Sequence, residues 1–219
     1  MNELQKRILS SIILIPLVLF LLIKGSYFFN IFLLICLFFT IYEWYLISQK
    51  KFYCLPGLIY IAISFYFAYL LRNNFDGKYT LFLLILIICV STDIGGYIFG
   101  KIFKGPKLTK ISPKKTYSGV IGSFLISLLF GLIYIKYLGQ KSRILLETDP
   151  IFIIFLTLFI SLVSQMGDLI ISYFKRKAKL KDTGNLLPGH GGLLDRIDGI
   201  IFVFPILFII KFTIYKILI

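Results

Sequence analysis

The chain has 219 residues, of which 58% are hydrophobic and 17% aromatic against only 16% charged. A soluble domain of this length cannot hide so much apolar surface, which excludes a water-soluble enzyme or binding module and makes lipid the solvent. The formal net charge of +14 at pH 7 suits the anionic lipid of a membrane surface, and no nucleic-acid partner is expected.

Apolar runs cover roughly 8–23, 26–48, 52–71, 79–100, 116–135, 151–174 and 199–219. A helix needs about 20 mainly apolar residues to cross about 30 Å of hydrocarbon, so the expectation is an all-α integral membrane protein of about seven transmembrane helices. In the first run, Lys6 and Arg7 precede an apolar stretch in the manner of a signal peptide. No small-residue cleavage site follows and more spans do, so it reads as a retained anchor with Lys24 snorkelling at its far end. Cys36, Cys54 and Cys89 are scattered through apolar runs without CxxC or Cys/His spacing, and read as small core hydrophobes. With no internal repeat or linker, residues 1–219 read as a single polytopic domain, with N-terminal helices over about 8–71 and the chemistry-bearing helices and loops over about 79–219.

Orientation follows from Lys and Arg, which cytoplasmic loops hold in excess. With the N-terminus cytoplasmic, that face receives Lys6, Arg7, Lys50, Lys51, the lysines from Lys101 to Lys115, and the basic residues from Lys175 to Arg196, the majority of the 24. The opposite face receives Lys24, Arg72, Lys78, Lys136, Lys141 and Arg143.

Glu43, Asp93 and Asp168 interrupt apolar runs. An ionised group there needs a partner or a wet cavity. Glu43, beside Trp44, reads equally well as the structural partner of a lysine. Asp93 lies in STDIGGYIFG with Gly96 and Gly100 on its own stripe, which lets a helix or a ligand approach the backbone. Asp168 shares a helix face with Ser172 and Lys175, a stripe of carboxylate, hydroxyl and ammonium.

The segment KRKAKLKDTGNLLPGHGGLLDRIDG, residues 175–199, concentrates basic side chains, aspartates and glycines between two apolar runs. Its LPGHGG turn is too glycine-rich for a helix, and successive N–H groups in such a turn form an anion-binding concavity. Asp195 and Asp198 follow on one helix face. Two carboxylates beside an anion nest suit Mg²⁺, which is held by one or two carboxylates together with substrate phosphates. Taken alone, GHGG is a common turn and DRID an ordinary salt-bridged helix start; joined to Asp168, Lys175 and Arg176 they describe a triphosphate–magnesium site.

The stretch SYFKRKAKLKDTGNLLPGHGGLLDRID, residues 172–198, resembles the signature of the phosphatidate cytidylyltransferases, the CDP-diacylglycerol synthases, through nearly its whole length. The block TDIGGYIFGKIFKGPKLTKISPKKT, residues 92–116, is similar to that family's Asp-containing helix, lysine-rich loop and SPxKT turn, with weaker echoes at RILSSIILIPL and YEW. The chain departs from the pattern in lacking spans that longer members carry between YEW and the Asp93 helix. It also has Ile171 where an acidic residue is common and Tyr117 where Trp is usual.

The resemblance implies that CTP and phosphatidate give CDP-diacylglycerol and pyrophosphate with Mg²⁺, at a multi-pass protein of the inner (cytoplasmic) membrane whose site faces the cytoplasm. By resemblance and spacing together, Asp168 and Asp195 are expected to hold the metal, with Asp198 and Asp93 as helpers. Lys175, Arg176, Lys114 and Lys115 would neutralise phosphates, while Ser172, His190, Gly191, Gly192 and Arg196 would contact the substrate. Asp182 would orient base or ribose, or serve as a salt-bridge partner in its loop. Whether a monovalent cation joins the Mg²⁺ and whether two chains pair as a homodimer stay open. The alternatives are a cytidylyltransferase or kinase acting on a polyprenyl or ether lipid and, in a different class, a secondary transporter with ion-binding acids near the midplane.

Overall fold

The computed structural model describes residues 3–49, 51–73, 79–109, 111–138, 149–186, 189 and 191–217. Lys50, Lys78, Lys110, Lys141, Arg143 and His190, with the side chains of Lys6, Arg7, Lys211 and Lys216, lie outside the described residues. The described chain is helical: α1 (Glu3–Lys24), α2 (Ser26–Ser48), α3 (Cys54–Asn73), α4 (Thr80–Ile102), α5 (Tyr117–Tyr137), α6 (Pro150–Lys177), the short α7 (Leu194–Ile197) and α8 (Ile200–Ile217). Among the described residues the only extended pairing is an isolated bridge between Lys107 and Thr116.

Five of these helices, α2 to α6, are long and apolar enough to cross a membrane, while α1 and α8 contribute the shorter apolar stretches Ile12–Lys24 and Ile200–Ile210. Phe38, Ile121 and Phe155 are more than half exposed on the outer faces of α2, α5 and α6, a surface that hydrocarbon covers and water would not. The core between helices is apolar too, built around Phe29, Ile61, Leu71, Ile85, Ile88 and Ile160. Cys89 is buried and Cys36 and Cys54 half-buried, all as free thiols.

Because lipid is as apolar as the helices, packing depends on close approach and hydrogen bonds. A Cβ on Gly95 of α4 would come within 2.4 Å of the Gly122 carbonyl oxygen of α5. The glycine stripe of α4 therefore accommodates a neighbouring helix. Gly167 and Gly199 bring α6 and the start of α8 together in the same way, a Cβ on Gly199 falling 2.4 Å from Ser164 Oγ. Hydroxyls then stitch the helices: Ser123 donates to the Thr92 carbonyl at 2.8 Å, Tyr134 to that of Thr80 at 2.8 Å and Ser64 to that of Ile201 at 2.5 Å. Each such bond contributes ~1 kcal/mol within a bilayer.

Two terminations set up the site. Thr116 caps α5 by accepting the Gly119 N–H at 3.1 Å, so the SPKKT turn is fixed immediately before that helix. The α6 helix runs past the apolar stretch through Lys175, Arg176 and Lys177, because cations in a last turn complement the carbonyl end of the helix dipole. At about 1.5 Å rise per residue its 28 residues reach about 42 Å, more than the ~30 Å hydrocarbon thickness, and carry those cations toward water.

Candidate active site

Asp168 and Ser172 lie one turn apart on α6, and the Ser172 hydroxyl donates to Asp168 Oδ1 at 3.2 Å. The other carboxylate oxygen, Oδ2, is 2.5 Å from Lys115 Nζ. Lys115 is aimed by its loop: its N–H donates to the Ser112 carbonyl at 3.0 Å and its carbonyl accepts from Leu108 at 2.8 Å. Lys114, the adjacent residue, is exposed.

Asp198, at the junction of α7 and α8, is buried and has its carboxyl within hydrogen-bonding reach of Asp168. Burial first, then the Asp168 and Asp93 carboxylates, push the Asp198 carboxyl well above its usual range, with Lys175 opposing them. Asp93 of α4 keeps solvent access but is enclosed electrostatically by Asp168, Lys115 and Arg196. The carboxylates of Asp93, Asp168 and Asp198 are thus within electrostatic range of one another, and Lys115 pairs with Asp168. All of these acids offer hard oxygen donors, the ligand type Mg²⁺ takes. Among the described residues no three acidic, His or Cys side chains stand close enough together to hold a metal ion by themselves.

Asp195 is placed differently. Its Oδ1 takes the Lys175 ammonium at 2.7 Å, and its Oδ2 accepts the N–H groups of Thr183 at 2.8 Å and Gly192 at 3.0 Å. Both Lys175 and Asp195 are nearly buried, with side chains 10% and 6% exposed. The two acids that spacing puts on one cation have different partners here: Asp168 pairs with Lys115, while Asp195 takes Lys175 and two loop amides. The Gly192 amide, expected to face phosphate, donates inside the loop. Gly191 has φ 83°, and a Cβ there would stand 2.9 Å from Asp195 Oδ2, so glycine is required twice over. Asp182 is exposed beside Gly191. Arg176 is exposed and donates to the Leu180 carbonyl at 2.9 Å, away from the carboxylates. Arg196 is within electrostatic range of Asp93. His190, outside the described residues, has no structural account.

Sequence reasoning missed the role of two residues. Glu43, weighed as a lysine partner, accepts instead the Leu193 and Leu194 N–H groups at 2.8 Å each and the Thr183 hydroxyl at 2.6 Å. Its signal was a carboxylate inside an apolar helix. Thr183 carried none, since a threonine in a polar loop is unremarkable by type.

The Cytidylyltransferase family pattern matches residues 52–214. A Rickettsia bellii protein named phosphatidate cytidylyltransferase is 39% identical over 221 residues, covering 96% of this chain and 91% of that one. A Rickettsia felis protein of the same name is 36% identical over 207 residues, covering 94% of this chain and 91% of its own length. One from Staphylococcus haemolyticus is 35% identical over 181 residues, 80% of this chain but 66% of that protein. The shorter build is thus shared with the rickettsial relatives, and the chain belongs to the cytidylyltransferase family.

Proposed function

We propose that this chain transfers the cytidylyl group of CTP to phosphatidate, forming CDP-diacylglycerol and pyrophosphate. The observation that carries the reading is the Lys115–Asp168 ion pair within electrostatic range of Asp93 and Asp198, in a membrane-spanning member of this family. A phosphate monoester is already anionic near neutral pH, so attack on the α-phosphorus of CTP needs no general base. Catalysis reduces to positioning and charge neutralisation.

The chain's own residues divide that work. Asp168 and Asp198, with Asp93, would hold Mg²⁺, which when bound supplies charge neutralisation of the triphosphate. Lys115 is poised to exchange its Asp168 partner for a substrate phosphate, with Lys114 beside it. Lys175, held by Asp195, presents a fixed ammonium at the end of α6, and Ser172 orients Asp168. Asp182, Gly191 and Arg196 would complete the rim of the site.

The reading includes seven spans with a cytoplasmic N-terminus in the inner membrane, α1 and α8 crossing alongside the five longer helices. Asp168 lies on the C-terminal side of the middle of α6, two turns before the basic last turn Lys175–Lys177, which favours a site at that face over a transporter's ion path. Radiolabelled CTP offered to the purified protein with phosphatidate, with polyprenyl phosphate or with no lipid tests the reading. CDP-diacylglycerol should form only with phosphatidate; product only with the polyprenyl lipid would overturn the substrate assignment.

A further inference from the structure

We infer that Glu43 and Thr183 are positioning residues for cytidylyl transfer, forming with Asp195 a clasp through which α2 holds the signature loop and aims Lys175 and Asp198. This rests on the function proposed above, and on a geometry that stands without it.

Glu43 is 3% exposed. Its Oε1 accepts the Leu193 N–H at 2.8 Å, and its Oε2 accepts the Leu194 N–H at 2.8 Å and the Thr183 hydroxyl at 2.6 Å. Thr183 Oγ1 is also 3.1 Å from Asp195 Oδ2, so one hydroxyl stands between two carboxylates. It has one proton to give, and the shorter contact assigns that proton to Glu43. Asp195 is then served by two backbone N–H groups and by Lys175. Donors and acceptors are thereby matched across the whole chain of contacts, which is the condition for a buried polar network to rigidify its surroundings.

The loop is built around this clasp. A Cβ on Gly192 would fall 2.4 Å from Glu43 Oε2 and 2.1 Å from Thr183 Oγ1, and one on Gly184 would fall 3.1 Å from Glu43 Oε1. Both glycines stand where the carboxylate must enter. The bonds to Leu193 and Leu194 fix the first residues of α7, one turn before Asp198, and the bonds through Thr183 fix Asp195 and hence Lys175. Glu43 reaches the cleft only through these neighbours, and it does so from α2, outside the 52–214 segment that the family pattern covers. A lipid-facing helix thus acts as the strut of the site, holding the groups that neutralise charge in the geometry the reaction needs.

The test uses the full-length protein with Glu43→Gln, Thr183→Val and Thr183→Ser. Amide hydrogen exchange at Thr183, Gly192, Leu193 and Leu194 reads the clasp with no substrate present, and steady-state turnover per folded molecule reads its consequence. Thr183→Val and Glu43→Gln should speed exchange at these amides and lower kcat about 100-fold, the cost of ångström-scale misplacement, with the KM for CTP little changed. Thr183→Ser keeps the hydroxyl and should restore both readouts. Should Glu43→Gln fail to fold, the valine and serine variants differ at one hydroxyl and still decide the matter. Wild-type kcat per folded molecule in Thr183→Val, or unchanged exchange, overturns the inference. A wild-type protein that consumes no CTP with phosphatidate would overturn the proposed function instead, leaving the exchange data to judge the clasp.

Discussion

Lys115, delivered by the loop before α5, closes on Asp168 of α6 with Nζ 2.5 Å from Oδ2, while its neighbour Lys114 remains exposed. The two lysines look equivalent in SPKKT, yet one faces the acidic cleft and the other water. A hydrogen bond to a charged group contributes about 1.5–3 kcal/mol, or about 10–100-fold. Lys115→Gln should therefore lower kcat/KM for CTP by that factor, and Lys114→Gln by clearly less because exposed charges are screened. Steady-state kinetics against CTP measures both, and equal losses would return the loop to a general attraction for anionic lipid.

Asp168 and Asp195 should respond differently to loss of charge. Asp168→Asn should cost at least 100-fold in turnover with the fold kept, as a ligand to catalytic charge would. Asp195→Asn leaves the buried Lys175 ammonium without its counter-ion, a penalty of about 3–5 kcal/mol, or on the order of 10 °C in Tm for a chain of this size. Thermal melts and turnover on the same detergent-purified samples compare them. An Asp195→Asn protein as stable as wild type, but inactive, would restore that residue to direct metal contact.

Lys175 and Arg176 adjoin in sequence and point apart. Lys175 is buried against Asp195, whereas Arg176 donates to the Leu180 carbonyl in water. Arg176→Ala should change turnover by no more than about twofold, within the ±0.5 kcal/mol of ordinary surface changes, while Lys175→Ala removes a fixed ammonium and most of the activity. Initial rates at saturating CTP and phosphatidate distinguish them, and a large loss in Arg176→Ala would place its guanidinium on substrate.

The helices were legible because apolar character and length decide a membrane span locally, and runs such as 26–48 and 116–135 needed no tertiary information. The Asp168, Ser172 and Lys175 stripe was legible for the same reason, since helix geometry alone places them together. Partner choice was not. Whether Asp195 meets a metal ion or Lys175 depends on how the loop folds back on α6, and whether Glu43 meets a lysine or the N–H groups of Leu193 and Leu194 depends on how α2 and the loop dock across more than a hundred residues of chain. Spacing along the sequence has no access to that contact.

Topology has its own test. Reporter fusions after Lys115 and after Lys181 should both read cytoplasmic, because Lys115 pairs with Asp168 on the helix that runs on into the second basic loop, and a fusion after Arg143 should read external. Opposite readings for the first two would separate Lys115 from Asp168 across the membrane and dismantle the site.

Asp198 gives the cleft a pH signature. Burial and the Asp168 and Asp93 carboxylates raise its proton affinity in the folded chain, so the native state keeps a proton that the unfolded chain has already released. Its contribution to stability is complete below the ordinary carboxylate range. It is lost as pH rises through the window up to the elevated native value, at about 1.4 kcal/mol per pH unit inside that window. Asp198→Asn removes the titration and should melt higher than wild type near neutral pH in chelator, the two converging as pH falls. A divalent cation acts in the opposite sense on the wild type, because it offsets the repulsion that raised the group. At about 100 times its Kd, Mg²⁺ should add about 2.7 kcal/mol, or roughly 5–10 °C in Tm, with little gain in Asp198→Asn. Melting curves for both proteins across pH, with and without Mg²⁺, read all of this without turnover. Parallel pH curves would show that Asp198 does not titrate as its neighbours demand, and an equal Mg²⁺ shift in both proteins would remove it from the metal's ligands.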